Sequence, residues 1–424
     1  MNFFIYIIVF LIIFLFIHQI TFKDKKSYSI NKFIWVYIFI FWGIIPLIQY
    51  LFNIISWEIQ IDESAALLSY ILILLWVVIY TLSYNLFSSR VKNNFSVEII
   101  KPFFISYPGI LIIILIQLII FIFFFSQSGR IILIRGGVTK QLIGDNQSTH
   151  LLISHVLRAL SVFASIFLLY NYKQNKTDNY LFFFFVSFAL LLLTNFPLAL
   201  PRYMAGAFYI AIIFIYKPVF KSKYLPVLAL IFLFLIIYPI FSTFRFIKSL
   251  ETLQISYTTL NAFSSPDFDN YTTLNLTLEY VNKYDITFGK QLLGVLLFFI
   301  PRSIWPNKPI GSGHLVAGSQ GMGFTNLSCP IVAEGYINFG IIGVILFAFF
   351  IGYIAAKLDS RYYTFSGLNL IKIFYPVSLG MIFFVLRGDL MSSFAYTISF
   401  IFAALIMLIL TKPFIRYKYD SPEC

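Results

Sequence analysis

The sequence predicts an all-α integral membrane protein of about eleven transmembrane helices, with ten to twelve as the range. Three observations predict it. The chain is 60% hydrophobic and only 11% charged, far from the make-up of a water-soluble domain. Apolar runs of about 20 residues, the length a helix needs to cross the hydrocarbon core, recur from end to end. The gaps between the runs alternate between lysine-rich and lysine-poor, as the two sides of a membrane require.

The runs place spans near 2–20, 33–55, 65–88, 104–126, 151–170, 180–199, 203–216, 224–245, 331–356, 368–387 and 392–411. The first lacks a basic leader and a small-residue cleavage site, so it reads as a retained span rather than a signal peptide. The next gap carries Lys23, Lys25, Lys26 and Lys32. Every second gap after it is basic: Arg90, Lys92 and Lys101; Lys173 and Lys176; Lys217, Lys221 and Lys223; Lys357, Arg361 and Lys372; Lys412, Arg416 and Lys418. These gaps face the cytoplasm by the positive-inside rule, which puts the N-terminus outside and the C-terminus inside. The remaining gaps face outward: 56–64, 127–150, a tight turn at 200–202, a long loop at 246–330 and a turn at 388–391. The long loop is polar over 246–287, carries a short apolar run over 288–300 and is rich in Pro and Gly over 301–330. The apolar run is too short to span and reads as an interfacial or re-entrant helix. The whole chain, 1–424, reads as a single polytopic membrane domain.

Counted by side, 18 Lys+Arg face 6 Asp+Glu inside, and 12 face 11 outside. The formal net charge of +13 therefore divides into +12 and +1. The excess is cytoplasmic, where topology and anionic lipid account for it, and nucleic acid is not needed as a partner. Two cysteines, Cys329 and Cys424, supply neither a disulfide framework nor a metal cluster. No cofactor or metal is called for.

Arginine does not follow lysine. Seven arginines face outward: Arg130, Arg135, Arg158, Arg202, Arg245, Arg302 and Arg387. Arg202 and Arg302 each follow a proline, where an apolar helix must end or bend, and Arg387 closes a span in the run RGD. A guanidinium grips phosphate oxygens in pairs and stays charged near a low-dielectric surface. The set reads as anion-binding, with Arg135, Arg202, Arg245, Arg302 and Arg387 as substrate-binding candidates. The alternative is a set of interfacial anchors and ion-pair partners. The stretch FIPRSIWPNKPIGSGHLVAGSQGMGF adds Trp305, Lys308 and His314. Its apolar, aromatic and cationic residues suit a polyisoprenoid pyrophosphate. Glu334, in EGYINFG, is the first candidate for a general base toward a sugar hydroxyl, followed by Asp389 and His314. A structural ion-pair role is the alternative for the carboxylates. His150 and His155 read as structural.

The span pattern, the long outward loop late in the chain, FIPRSIWPNKP followed by a Gly-rich loop and EGYINFG, and the turn at Pro201–Arg202 together resemble the bacterial O-antigen polymerases of the Wzy type. The specific part covers 288–340. The resemblance implies a GT-C-like membrane glycosyltransferase of lipopolysaccharide and surface-polysaccharide biosynthesis. It would join undecaprenyl-pyrophosphate-linked oligosaccharide repeat units at the periplasmic face of the bacterial inner membrane. Membrane lipid and a chain-length regulator protein are further candidate partners. An O-antigen ligase using the same donor, and a flippase of lipid-linked oligosaccharide, are the alternatives. Arg202, Arg302, Glu334 and Arg387 are the positions matched to functional arginines and an acid.

Overall fold

A computed structural model describes residues 2–88, 103–129, 147–216, 222–238, 260–365 and 368–417. Helix dominates them. Among the described residues, eight helices are long and apolar enough to cross a membrane. They are α1 (Phe3–Lys23), α2 (Ile30–Phe52), α3 (Glu63–Ser88), α4 (Tyr107–Gln127), α5 (Leu152–Asn175), α12 (Ile331–Thr364), α13 (Leu370–Arg387) and α14 (Leu390–Phe414). Three shorter apolar helices lie between: α6 (Asp178–Thr194), α7 (Arg202–Tyr216) and α8 (Leu225–Ile237). All eleven fall on the apolar runs of the sequence. Their outer faces carry large apolar side chains in the open, such as Phe3 (71%), Phe10 (67%) and Ile342 (67%). Such surface is stable only against lipid or a partner. The chain is a multi-pass membrane protein.

The chain divides into two compact units. The first comprises Met1–Arg90, Phe220–Asp359 and Ile382–Phe394; the second comprises Val91–Val219, Ser360–Met381 and Ala395–Cys424. In the first unit α2 is the central helix, with Ile30 to Tyr37 buried on every side. Its first turn is capped twice. Ser29 accepts from the Lys32 N–H, and the Asp359 carboxylate accepts from the Ile30 N–H at 2.8 Å and from Asn31 at 3.3 Å. A carboxylate there satisfies amides that a helix start leaves unpaired and meets the positive end of its dipole. Further along, Pro46 has no N–H to donate, and the preceding turns, Ile38–Ile44, widen to π geometry. Trp42, Trp76 and Tyr80 pack ring against ring between α2 and α3.

Among its described residues, the region read as a long loop holds three α-helices: α9 (Asn270–Tyr284), α10 (Lys290–Leu296) and α11 (Ser312–Ser319). The short apolar helix expected near 288–300 is α10, but the deeply enclosed one is α9, in the stretch that reads as polar. Asn270 through Leu278 are all buried. An apolar stripe of Tyr271, Leu274, Leu278 and Val281 recurs at helical spacing. Some of the polar side chains between are paired: Thr277 donates to the Thr273 carbonyl, and Asn275 donates to that of Tyr271 and accepts from Ser69, whereas the Thr272 and Thr273 hydroxyls have no partner among the described residues. Leu276, Val316, Ala317, Leu327 and Ile337 close a small core that seats α11 against α9.

The span expected at 331–356 is not continuous. α12 breaks at Phe339 and Gly340, the latter at φ +61°. The break releases the carbonyls of Ile337 and Asn338, which accept from the amides of Thr287 and Gly289 at 2.8 and 3.1 Å. The two arms of α12 fold so closely that a Cβ on Gly335 would lie 2.8 Å from the Gly343 carbonyl. Glu334 therefore sits on a separate short arm, not at the head of a straight span.

In the second unit, Gln117 of α4 donates to the Ser161 carbonyl, Ser165 and the Ser187 carbonyl, joining α4, α5 and α6. Small residues of this kind let membrane helices approach and bond across their interface. A two-stranded antiparallel ribbon pairs Phe103–Ile105 with Ile415–Tyr417, so the helix expected from 104 begins only at Tyr107.

Candidate functional site

Glu334, Asp389 and His314 converge in the first unit on the start of α11. Ser312 donates its hydroxyl to Glu334 at 2.7 Å, and the Leu390 N–H donates to the other oxygen at 2.8 Å. Glu334 is 1% exposed. One residue along, the Gly313 N–H donates to Asp389 at 3.0 Å, and Asp389 also accepts from the Met391 amide at 3.0 Å. Desolvation lifts the Asp389 carboxyl above the ordinary aspartate range; the backbone donors and the nearby His314 pull it back. Two glycines pack closely here, and at Gly313 the obstacle is backbone. A Cβ on Gly311 would strike the Asp389 carboxylate, and one on Gly313 would strike the Leu327 carbonyl.

His314 is the exposed member of the three. It lines an open groove of about 330 Å³ with Tyr280, Tyr284, Ile310, Leu315, Gly318 and Ser319. The Tyr280 and Tyr284 rings lie 5.2 Å apart, and Lys283 stands over Tyr284. Two tyrosine faces beside an imidazole and a hydroxyl offer both a stacking surface and hydrogen-bond partners.

Arg302, Trp305 and Lys308 share one turn next to the groove. Arg302 donates to the carbonyls of Lys308 (2.8 Å) and Pro309 (3.3 Å), and Pro309 precedes the groove residue Ile310. The Lys308 ammonium donates to the Phe298 and Ile300 carbonyls beyond the end of α10. Burial, and then the Arg302 charge, hold Lys308 below the ordinary lysine range. Trp305 closes the turn through its amide to Pro301 O at 3.0 Å. Arg302 is exposed and keeps further N–H donors for a ligand, whereas the Lys308 ammonium already serves the chain.

Arg387 and Asp389 are neighbours in the sequence yet serve different partners. Arg387 pairs with Asp269 at 3.1 Å and donates to the Pro266 carbonyl at 2.7 Å. Ser328 also donates to Asp269, and Tyr37 bridges Asn270 to the Leu386 carbonyl. Burial pushes the Asp269 carboxyl up and Arg387 draws it down. Here Arg387 has the ion-pair role that the sequence left as the alternative to substrate binding. Arg387→Ala would leave Asp269 charged, buried and unpaired, which costs about 3 kcal/mol for a partner that is partly exposed. Thermal unfolding in detergent should show the loss, and the double variant Asp269→Asn, Arg387→Gln should regain part of it. An equal loss in both would show that the charge pair is not the stabilising element.

Arg202 opens α7 in the second unit and is not among the residues gathered here. Arg135 and Arg245 lie outside the described residues. The sequence reading missed Tyr280, Tyr284, Ser312 and Asp269. The helical spacing of Tyr280 and Tyr284 was the available signal for the groove. Among the described residues, no group of three or more His, Cys, Asp or Glu is placed to hold a metal ion. Cys329 is buried, and burial raises its thiol well above the ordinary range. No family model, no curated protein and no solved structure matches the chain.

Proposed function

We propose that this protein is a polysaccharide polymerase of the O-antigen type. It spans the bacterial inner membrane eleven times in a GT-C-like arrangement, with its N-terminus periplasmic and its C-terminus cytoplasmic. It joins oligosaccharide repeat units carried on undecaprenyl pyrophosphate, transferring the growing chain to a single lipid-linked unit. The observation that carries this reading is the groove of Tyr280, Tyr284 and His314, backed by Glu334 and Asp389 and adjoined by the Arg302 turn.

In this mechanism the acceptor sugar stacks on the two tyrosines. His314 removes the proton from the attacking hydroxyl, because it meets the substrate without any rearrangement, while Glu334 is enclosed. Glu334 and Asp389 hold the first turn of α11 and so aim the imidazole. The hydroxyl oxygen attacks the anomeric carbon of the donor, and the bond to the pyrophosphate oxygen breaks. The leaving group departs already charged, so the exposed guanidinium of Arg302 stabilises the transition state electrostatically.

The glycan ladder of a deletion strain tests the function. A polymerase deletion leaves lipopolysaccharide bearing one repeat unit, a ligase deletion leaves none, and restoring the gene returns the ladder. In the restored strain, Arg302→Ala should shorten or abolish the ladder at unchanged membrane level, and Arg302→Lys should rescue only part of it. A full ladder in Arg302→Ala would remove that residue from the mechanism.

A further inference from the structure

The second unit buries a histidine and an arginine that the mechanism above does not use. His155 is 7% exposed, and neither ring nitrogen has a hydrogen-bond partner among the described residues. Its ring packs 3.9 Å from that of Tyr396, which stacks in turn on Tyr203. Arg158 lies three residues on, on the same face of α5. It is 9% exposed, donates to the Thr194 carbonyl at 2.6 Å and rests 4.6 Å from the centre of the Phe124 ring. No carboxylate pairs with it among the described residues. Asn195 braces the same turn by donating to the Arg158 carbonyl at 3.4 Å.

A buried guanidinium without a counter-charge is unstable, and a buried imidazole with both nitrogens unpaired adds to that. One occupant relieves both: an anion with several oxygens, able to accept from the guanidinium fork and from the ring N–H. Chloride supplies charge but not the paired acceptors that a fork prefers. Tyr203 follows Arg202 directly in the chain, so Arg202, another of the outward arginines, belongs to the same end of α7 as the Tyr203 ring of this cluster.

We propose that His155 and Arg158 form a binding subsite in the second unit for a phosphate or diphosphate group. The group is either free in solution or the head of a lipid. The subsite does not depend on the polymerase reading, because it is tested by binding alone.

The test uses the full chain. Binding of inorganic pyrophosphate is measured by calorimetry in detergent, against chloride at equal ionic strength. Binding of a prenyl pyrophosphate is then measured in nanodiscs. Saturable pyrophosphate binding in detergent identifies the free anion as sufficient, and binding confined to nanodiscs identifies the lipid head. In whichever arm binds, Arg158→Gln should weaken affinity about tenfold or more, and Arg158→Lys by less. His155→Phe keeps the packing on Tyr396 and removes the ring nitrogens. It should weaken affinity several-fold with no fall in melting temperature, which keeps the test open should the arginine variants misfold. Absence of binding in both arms overturns the proposal, as does unchanged affinity in His155→Phe. Loss of all binding in Arg302→Gln would assign the anion to the first unit and overturn it too. An active polymerase without this binding would sink the subsite alone, and binding in a chain without ladder activity would sink the polymerase reading alone.

Discussion

Replacing His314 by glutamine should lower glycan polymerisation by about 10²–10⁴-fold, the usual contribution of a positioned general base, while the protein accumulates normally in the membrane. The side chain is exposed on a short helix whose seat is made by Val316 and Ala317, so its loss leaves the core intact. Glu334→Gln is the companion measurement. Glutamine can accept from the Leu390 amide and donate to the Ser312 oxygen, so both contacts of the carboxylate survive in altered form. If Glu334 only positions α11, Glu334→Gln should keep most of the activity. Turnover of purified protein with lipid-linked repeat units would read both. Full activity in His314→Gln with none in Glu334→Gln would move the base to the buried carboxylate, the order of preference that the sequence alone suggested.

Among the described glycines, Gly343→Ala should be the most damaging added methyl. The added carbon would collide with the Gly335 carbonyl on the folded-back arm of α12, and the obstacle is backbone rather than a flexible side chain. Overpacking of this kind costs about 3 kcal/mol at its upper range. Part of the effect should appear as lost activity, because the arm that would move carries Glu334. Gly206→Ala is the control: nothing lies within 4 Å of its added carbon, and the position is helical. Melting temperatures of the two variants in detergent decide the matter. A Gly343→Ala protein as stable as Gly206→Ala would mean that the two arms of α12 do not meet as described.

Much of the site was legible in the sequence. His314, Glu334, Asp389 and Arg302 were singled out as ionisable groups close to prolines, glycines and span ends, where apolar helices must stop. What they touch was not legible. Arg387 and Asp389 stand two residues apart and read as a pair, yet Arg387 bonds to Asp269, 118 residues away, and Asp389 to Gly313. α9 was hidden for a different reason. Its asparagines and threonines lower the local hydropathy below that of a membrane run, and its burial comes from the helices around it.

The sequence by itself determined the class of the molecule and where its apolar helices lie. The physical reason is that crossing a hydrocarbon core depends on local length and polarity, which a single stretch of chain contains in full. Only the tertiary structure decided that α12 breaks at Gly340, that α9 is enclosed, and that three ionisable groups from separate stretches of chain meet at the start of α11. Those outcomes rest on backbone groups satisfied by distant segments. The carbonyls freed at Ile337 and Asn338 are taken up by the amides of Thr287 and Gly289, and the amides of α11 and α14 by two carboxylates. Pairings of that range are set by which elements pack together, and no local pattern in the sequence encodes them.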